Sequence, residues 1–159
     1  MMAKASLATL AAENAIRRLI SLYCDAVARG DPDSIAMLFT PDARVRIAHL
    51  PERVGREEIV EGLRQTMAAF SYLHQKCDTG LIDVDGDVAR ARLGVVEFNR
   101  SNGADSLNMI FGFYEDELML LGEGWRFHRR RFTIRYRTVL PASEIQQFPE
   151  FLSAFAFAP

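Results

Sequence analysis

The chain has 159 residues, 49% of them hydrophobic and 25% charged, which fits one globular domain and excludes a disordered tail, a collagen-like fibre and a disulfide scaffold. Lys and Arg total 19 against 21 Asp and Glu, a net charge of −2, so the basic surplus that grips nucleic acid is absent. Cys24 and Cys77 form no CxxC pair and read as two reduced thiols. No apolar run approaches the roughly 20 residues of a membrane helix and no signal-peptide core opens the chain, so a cytoplasmic protein with no membrane partner is expected.

Residues 6–29 read as a helix, with Ile16, Leu19, Ile20, Tyr23 and Val27 on one apolar stripe and Gly30 in the position just past its end. Asp31-Pro32 supplies an N-cap and a first-turn proline for a short second helix over about 32–39, which delivers Leu38 and Phe39 to the core. Ala43–Leu50 is the first strand, broken by Pro51. Gly55-Arg56-Glu57-Glu58 opens a third helix, its acids suited to the helix dipole, with Ile59, Leu63, Met67 and Phe70 on one face.

From Tyr72 the pattern changes to strands. Asp85-Gly86-Asp87 is a hairpin turn between residues 72–84 and 87–99. Ala89, Ala91, Leu93, Val95 and Glu97 share one face of the second arm, with Arg90 and Arg92 on the other. A loop at 101–104, a strand over 107–121, a tight turn at Gly122-Glu123-Gly124 and a last strand from Trp125 to Thr138 complete the series. In that strand alternation groups His128, Arg130, Phe132, Ile134 and Tyr136 against Trp125, Phe127 and Thr133, and both faces mix apolar and cationic residues. Helices first and long antiparallel hairpins after them predict an α+β fold, a curved sheet around the long first helix with an apolar pocket between them. The whole chain, 1–159, is one domain, with a core over about 6–138 and a Phe-rich segment at 139–159. Phe148, Phe151, Phe155 and Phe157 in that segment are expected to cap the pocket, pack on the sheet or enter a subunit interface.

Tyr23, Gly30-Asp31, Leu38 to Ala43, Gly55 to Ile59, His74, Asp83 to Ala89, Tyr114 and Gly124 to Phe127 form an ordered series spanning about residues 10–138. This series resembles the SnoaL-like branch of the nuclear-transport-factor-2-like superfamily, and the resemblance implies a cystatin-like, cone-shaped barrel. The superfamily holds dehydratases, isomerases, polyketide cyclases, dehydrochlorinases and non-enzymes, so the fold does not settle the function. Relatives of the scytalone-dehydratase type carry a Tyr on the first helix and a His before the long hairpin, which Tyr23 and His74 match. The Asp that those relatives place five residues after the Tyr is Ala28 here, and the position of a second strand-borne His aligns with Glu97. Ile47 stands at the isomerase branch's strand-borne Asp, which disfavours ketosteroid-isomerase chemistry.

His74 is the candidate proton carrier because imidazole is the side chain suited to taking and giving a proton in neutral water, with Glu97 as the carboxylate supporting it and Tyr23 as the phenol that orients or polarises an oxygen. Tyr114, Arg130, Asp78, Phe39 and Phe70 are the candidate substrate-binding residues, Arg130 as the group that steadies an oxyanion or an acid. Asp25 lies opposite the apolar stripe and reads as a solvated charge. His49, His74 and His128 have no metal-ligand spacing, and Gly122-x-Gly124 follows no Rossmann unit, so neither metal nor cofactor is expected. The leading expectation is a cofactor-independent enzyme performing proton transfer (dehydration, isomerisation or cyclisation) on a small apolar cyclic substrate, as a homo-dimer or homo-trimer. A non-catalytic assembly subunit of the ring-hydroxylating dioxygenase β type, or a ligand-binding module, is the alternative.

Overall fold

The computed structural model describes residues 6–141 and residue 143, so the four phenylalanines expected to cap the pocket, pack on the sheet or enter a subunit interface lie outside the described residues. Helix α1 runs Leu7–Arg29, capped by the Ser6 side chain at one end and stopped at the other by Gly30, whose φ of 64° is left-handed. The expected stripe is its buried face: Ile16, Leu19, Ile20, Tyr23, Ala26 and Val27. Asp31 caps α2, Pro32–Ala36, by accepting from the Ser34 N–H at 3.0 Å. The strands are β1 Phe39–Ile47, β2 Arg53–Val54, β3 Phe70–Cys77, β4 Leu81–Asp85, β5 Val88–Ser101, β6 Ser106–Leu121 and β7 Gly124–Pro141, with α3 at Arg56–Ala68. They form a curled sheet in the order β2-β1-β7-β6-β5-β3, with β4 also on β5, and only the β1–β7 pairing is parallel. Helix α1 lies against β3, β4 and β7 across the concave side.

Several boundaries differ from expectation, among them the first strand, which runs Phe39–Ile47 and not Ala43–Leu50. The second helix stops at Ala36, because Leu38 gives its carbonyl to the Phe127 N–H and Phe39 already pairs with Phe127 in the parallel ladder. Helix α3 ends at Ala68, and Phe70 opens β3. The single strand expected over 72–84 is two strands, β3 and β4, which pair with successive stretches of β5. The break contains Gly80, with φ 62°, where a Cβ would stand 2.2 Å from the Leu93 side chain and 2.8 Å from the Arg92 carbonyl.

The last strand does not alternate cleanly. Phe127 pairs with Leu118 and Arg129 with Glu117, which leaves His128 as an extra residue; Ile134 pairs with Gly112 and Tyr136 with Phe111, which leaves Arg135 as a second. Each bulge flips the face presented by the residues beyond it. Phe127, Arg130 and Phe132 are therefore buried together, and Tyr136, expected beside Arg130, is exposed like Phe111. The Arg-rich run divides: Arg130 enters the core, and Arg129 and Arg131 join Glu115, Glu117, Arg90 and Arg92 on exposed strand positions.

Arg130 is 1% exposed and Asp116, its partner on β6, 3% exposed. The Nε and Nη2 of Arg130 donate to the two Asp116 oxygens, both at 2.8 Å. The guanidinium carbon lies 3.9 Å from the ring centres of Tyr114 and Phe127 and 4.2 Å from that of Tyr23, placing the cation among the negative faces of three rings. Burial pushes the Asp116 carboxyl up and the Arg130 charge pulls it back; the two parallel short bonds mark an ionised pair.

A buried ion pair contributes little over apolar residues of the same shape, but breaking it strands a charge. Asp116→Ala should cost about 3–5 kcal/mol in a urea titration, and Arg130→Met combined with Asp116→Leu should recover most of that loss. A double variant as unstable as the single one would show that the aromatic cage, not the stranded charge, carries the cost.

Candidate active site

A cavity of about 280 Å³ opens between α1, α3 and the concave face of the sheet. Helix α1 contributes Tyr23 and Val27; β1 contributes Phe39, Val45 and Ile47; α3 contributes Ile59, Leu63, Thr66 and Met67. Phe70 and Leu73 of β3, Ile110 of β6, and Phe132 and Ile134 of β7 continue the apolar wall. Against it stand the polar side chains of Tyr23, Gln75, Glu97, Asn99 and Tyr114, with Arg53 also on the lining.

Those polar groups are one connected chain. The Tyr114 hydroxyl donates to Gln75 Oε1 at 3.0 Å, and Gln75 Nε2 donates to Glu97 Oε2 at 2.6 Å. Asn99 Nδ2 donates to Glu97 Oε1, also at 2.6 Å, and Asn99 Oδ1 accepts from Asn108 Nδ2 at 2.9 Å. Arg137 closes the outer end, donating from Nε and Nη2 to Asn108 Oδ1 at 3.1 and 2.7 Å. At the inner end the Tyr23 and Tyr114 oxygens are 3.5 Å apart. Because the Tyr114 proton is committed to Gln75, Tyr23 is the donor in that pair. All three amides, Gln75, Asn99 and Asn108, are oriented by two neighbours at once, each accepting on its oxygen and donating from its nitrogen along the chain.

The result is a carboxylate on the wall of an apolar cavity. Glu97 is 9% exposed and accepts one amide N–H on each oxygen, which leaves about half of its lone-pair sites for a proton or a ligand donor. Burial pushes the phenol of Tyr23 up, against the opposing charge of Arg130. Burial raises Tyr114 further, helped by its neighbour Tyr23. Both therefore stay protonated donors at neutral pH. Among the described residues no three His, Cys, Asp or Glu side chains gather as a metal-binding group, and no helix is long and apolar enough to cross a membrane.

Of the residues singled out from the sequence, Tyr23, Glu97, Tyr114, Phe39 and Phe70 line this cavity, and His74, Asp78 and Arg130 do not. His74 was expected beside Glu97, but its cross-strand partner is Phe98, and Gln75 is the residue opposite Glu97. Side chains alternate along a strand, so His74 leaves the cavity where Gln75 enters it. His74 instead lines a groove between α1 and β3 with Arg17, Ser21, Cys24, Asp25 and Ala28, its ring stacked on Tyr72 at 6.5 Å. Asp78 lies over Gly94 at the end of β3, its backbone N–H bonded to the Gly94 carbonyl at 3.0 Å. Arg130 is consumed by Asp116 beneath the tyrosine pair. Asp25 pairs with Arg29 at 2.8 Å on the helix surface, as a solvated charge does.

Sequence reasoning missed Gln75, Asn99 and Asn108. The signal was available for Asn99, two residues after Glu97 on the inward face of the same strand. Gln75 needed the parity of β3, which a chain reading Phe-Ser-Tyr-Leu-His-Gln-Lys-Cys does not declare.

Comparison with known proteins agrees with this architecture. A candidate scytalone dehydratase from Novosphingobium aromaticivorans matches with a TM-score of 0.76 at 24% identity, over 81% of this chain and 87% of that one. A hexachlorocyclohexane dehydrochlorinase, LinA type 2, matches with a TM-score of 0.76 at 18% identity, over 94% and 95%. A protein described as NTF2-like with a cystatin-like fold, also from N. aromaticivorans, matches at 0.67 and 22%, over 83% and 92%. No curated protein matches the sequence. The model of the SnoaL-like domain matches residues 8–131, and with the curled sheet and its cavity in place, the chain belongs to the SnoaL-like family.

Proposed function

We propose that this chain is a cofactor-independent enzyme that moves a proton on a small apolar cyclic substrate, with Glu97 as the base. The observation that carries the reading is the Glu97 carboxylate, held by two 2.6 Å amide bonds on the polar side of a cavity whose remaining wall is mostly apolar. Such a carboxylate is oriented without being neutralised by a cation, so its remaining lone pairs stay basic towards a C–H or O–H of a bound molecule. The Tyr23 hydroxyl is tied by the longest link of the chain, at 3.5 Å. It is the donor freest to turn towards a substrate oxygen or leaving group.

Elimination fits this pair of roles. Glu97 takes the proton from carbon, the C–H electrons become the new double bond, and the leaving group departs with its own pair towards the Tyr23 donor. The names dehydratase and dehydrochlorinase, attached to two structural neighbours, both denote eliminations. Isomerisation needs the same base and a return of the proton to another carbon. A cavity of about 280 Å³ is near the small end of ligand sites, roughly 300–1,000 Å³, and suits one or two rings. Binding without turnover, the rival reading, shares the cavity and differs only in leaving Glu97 an anchor. The assembly-subunit reading draws on the exposed Phe111, Phe113 and Tyr136, a surface that also fits the homo-oligomer expected from the sequence.

The test is exchange of the α-hydrogens of cyclic ketones, β-tetralone first, in heavy water, followed by proton NMR. Wild type should accelerate exchange, and Glu97→Gln should lower the rate by about 10²–10⁴-fold. This variant is tolerable because the chain can invert: a flipped Gln75 accepts from the new amide and donates to Tyr114, which then donates to Tyr23. Acceleration unchanged in E97Q, or none with any ketone that binds, overturns the reading. Tyr114→Phe should cost about 1–3 kcal/mol of stability by leaving the Gln75 carbonyl unpaired. It should slow exchange about tenfold, far less than E97Q.

A further inference from the structure

Cys24 on α1 and Cys77, the last residue of β3, are separated by 53 positions, and their sulfurs lie 3.4 Å apart as free thiols. Both are half-buried and both line the groove between α1 and β3, a space of about 380 Å³ outside the cavity. Nothing in the proton-transfer reading uses them. We propose that this pair is a peroxide-reactive dithiol that closes into a disulfide joining α1 to β3.

The chemistry needs a nucleophile, a resolving thiol and room to meet. The hydrogen bond between the two sulfurs holds the Cys24 thiol down to about 7, against the effect of burial and with help from the Arg130 charge. Cys77 is pushed up by the same bond and by burial. Cys24 is thus the sulfur that ionises in part at neutral pH, and the thiolate is the reactive form. It attacks one peroxide oxygen, the O–O bond breaks, and hydroxide leaves and is protonated to water, giving a sulfenic acid on Cys24. Cys77 then gives up its proton and attacks the Cys24 sulfur, forming the S–S bond and expelling a second water. Two thiols have lost two electrons and two protons, and one hydrogen peroxide has become two waters.

Closure requires the sulfurs to move from 3.4 Å to about 2.05 Å. Cys77 can supply that movement, because it ends an edge strand just before the break at 78–80. The bridge ties the helix that carries Tyr23 to the strand that carries Gln75, two positions from the second cysteine. The inference stands on the sulfur geometry and does not depend on Glu97 being a base.

The experiment treats the folded full-length protein with dilute hydrogen peroxide under non-reducing conditions. The expected product is a monomer lighter by two hydrogen masses, a tryptic peptide linking Cys24 to Cys77, and a Tm higher by roughly 5–10 °C, reversed by dithiothreitol. In Cys77→Ser, dimedone should trap a sulfenic acid on Cys24, and in Cys24→Ser the adduct on Cys77 should form at least tenfold more slowly. Sulfinic acid at Cys24 with no linked peptide, a disulfide between two chains, or thiols unchanged by peroxide each overturn the proposal. Equal trapping rates in the two variants overturn the assignment of Cys24 as the attacking sulfur. The wild-type mass and peptide readouts need no variant to fold.

Discussion

A cation fully removed from water must be answered by its surroundings, and Arg130 is answered by one carboxylate and three aromatic rings, with its Nη1 left without a hydrogen-bond partner. Asp116 takes two of its N–H groups, and Tyr23, Tyr114 and Phe127 pack around its guanidinium carbon within about 4 Å. The pair and its cage draw residues from α1, β6 and β7 to one point, where the helix seats against the curled sheet. The tyrosines gripped by the cation are the same two whose hydroxyls begin the hydrogen-bonded chain along the cavity. The ring faces belong to the core and the hydroxyl ends to the site, so the structural charge positions the functional donors.

From that point the chain has a direction. Tyr23 donates to Tyr114, Tyr114 to Gln75, and Gln75 to Glu97; from the outer end Arg137 donates to Asn108, Asn108 to Asn99, and Asn99 to Glu97. Two runs of donors converge on one carboxylate, which is the only acceptor without a donor of its own to pass on. Amide donors orient it without the full countercharge a guanidinium would bring. That combination, a fixed carboxylate with no cation bonded to it and facing a mostly apolar space, is what the proposed proton abstraction from a weakly acidic carbon requires.

Much of the frame was legible because single residues announced it. Gly30 marked the end of α1, Asp31-Pro32 the start of α2, and the small and aliphatic run before Glu97 showed the inward face of β5. The chemistry was harder to read wherever a strand lacked alternation or gained a residue. β3 offers no clean apolar face, so a one-residue difference exchanged His74 for Gln75 at the cavity wall. The extra residues at His128 and Arg135 reversed parity twice in β7, sending Tyr136 outward and placing Phe127 and Arg130 together. Asp116, between Glu115 and Glu117, looks like part of a solvated acidic run and is the buried partner of the core arginine. The thiol pair is invisible to local spacing because tertiary packing alone brings helix and strand together.

The central claim is that the reactive group on the cavity wall is Glu97, with His74 facing elsewhere. Protein labelled at the glutamate carboxyl carbons, with Glu97 assigned by comparison with E97Q, can be titrated with β-naphthol, the stable aromatic counterpart of the enol of β-tetralone, and followed by NMR. The account predicts that the Glu97 carboxyl resonance moves saturably with ligand while the His74 ring resonances stay in place. Saturable movement of the His74 ring with Glu97 unaffected would contradict it and place the binding chemistry in the groove between α1 and β3.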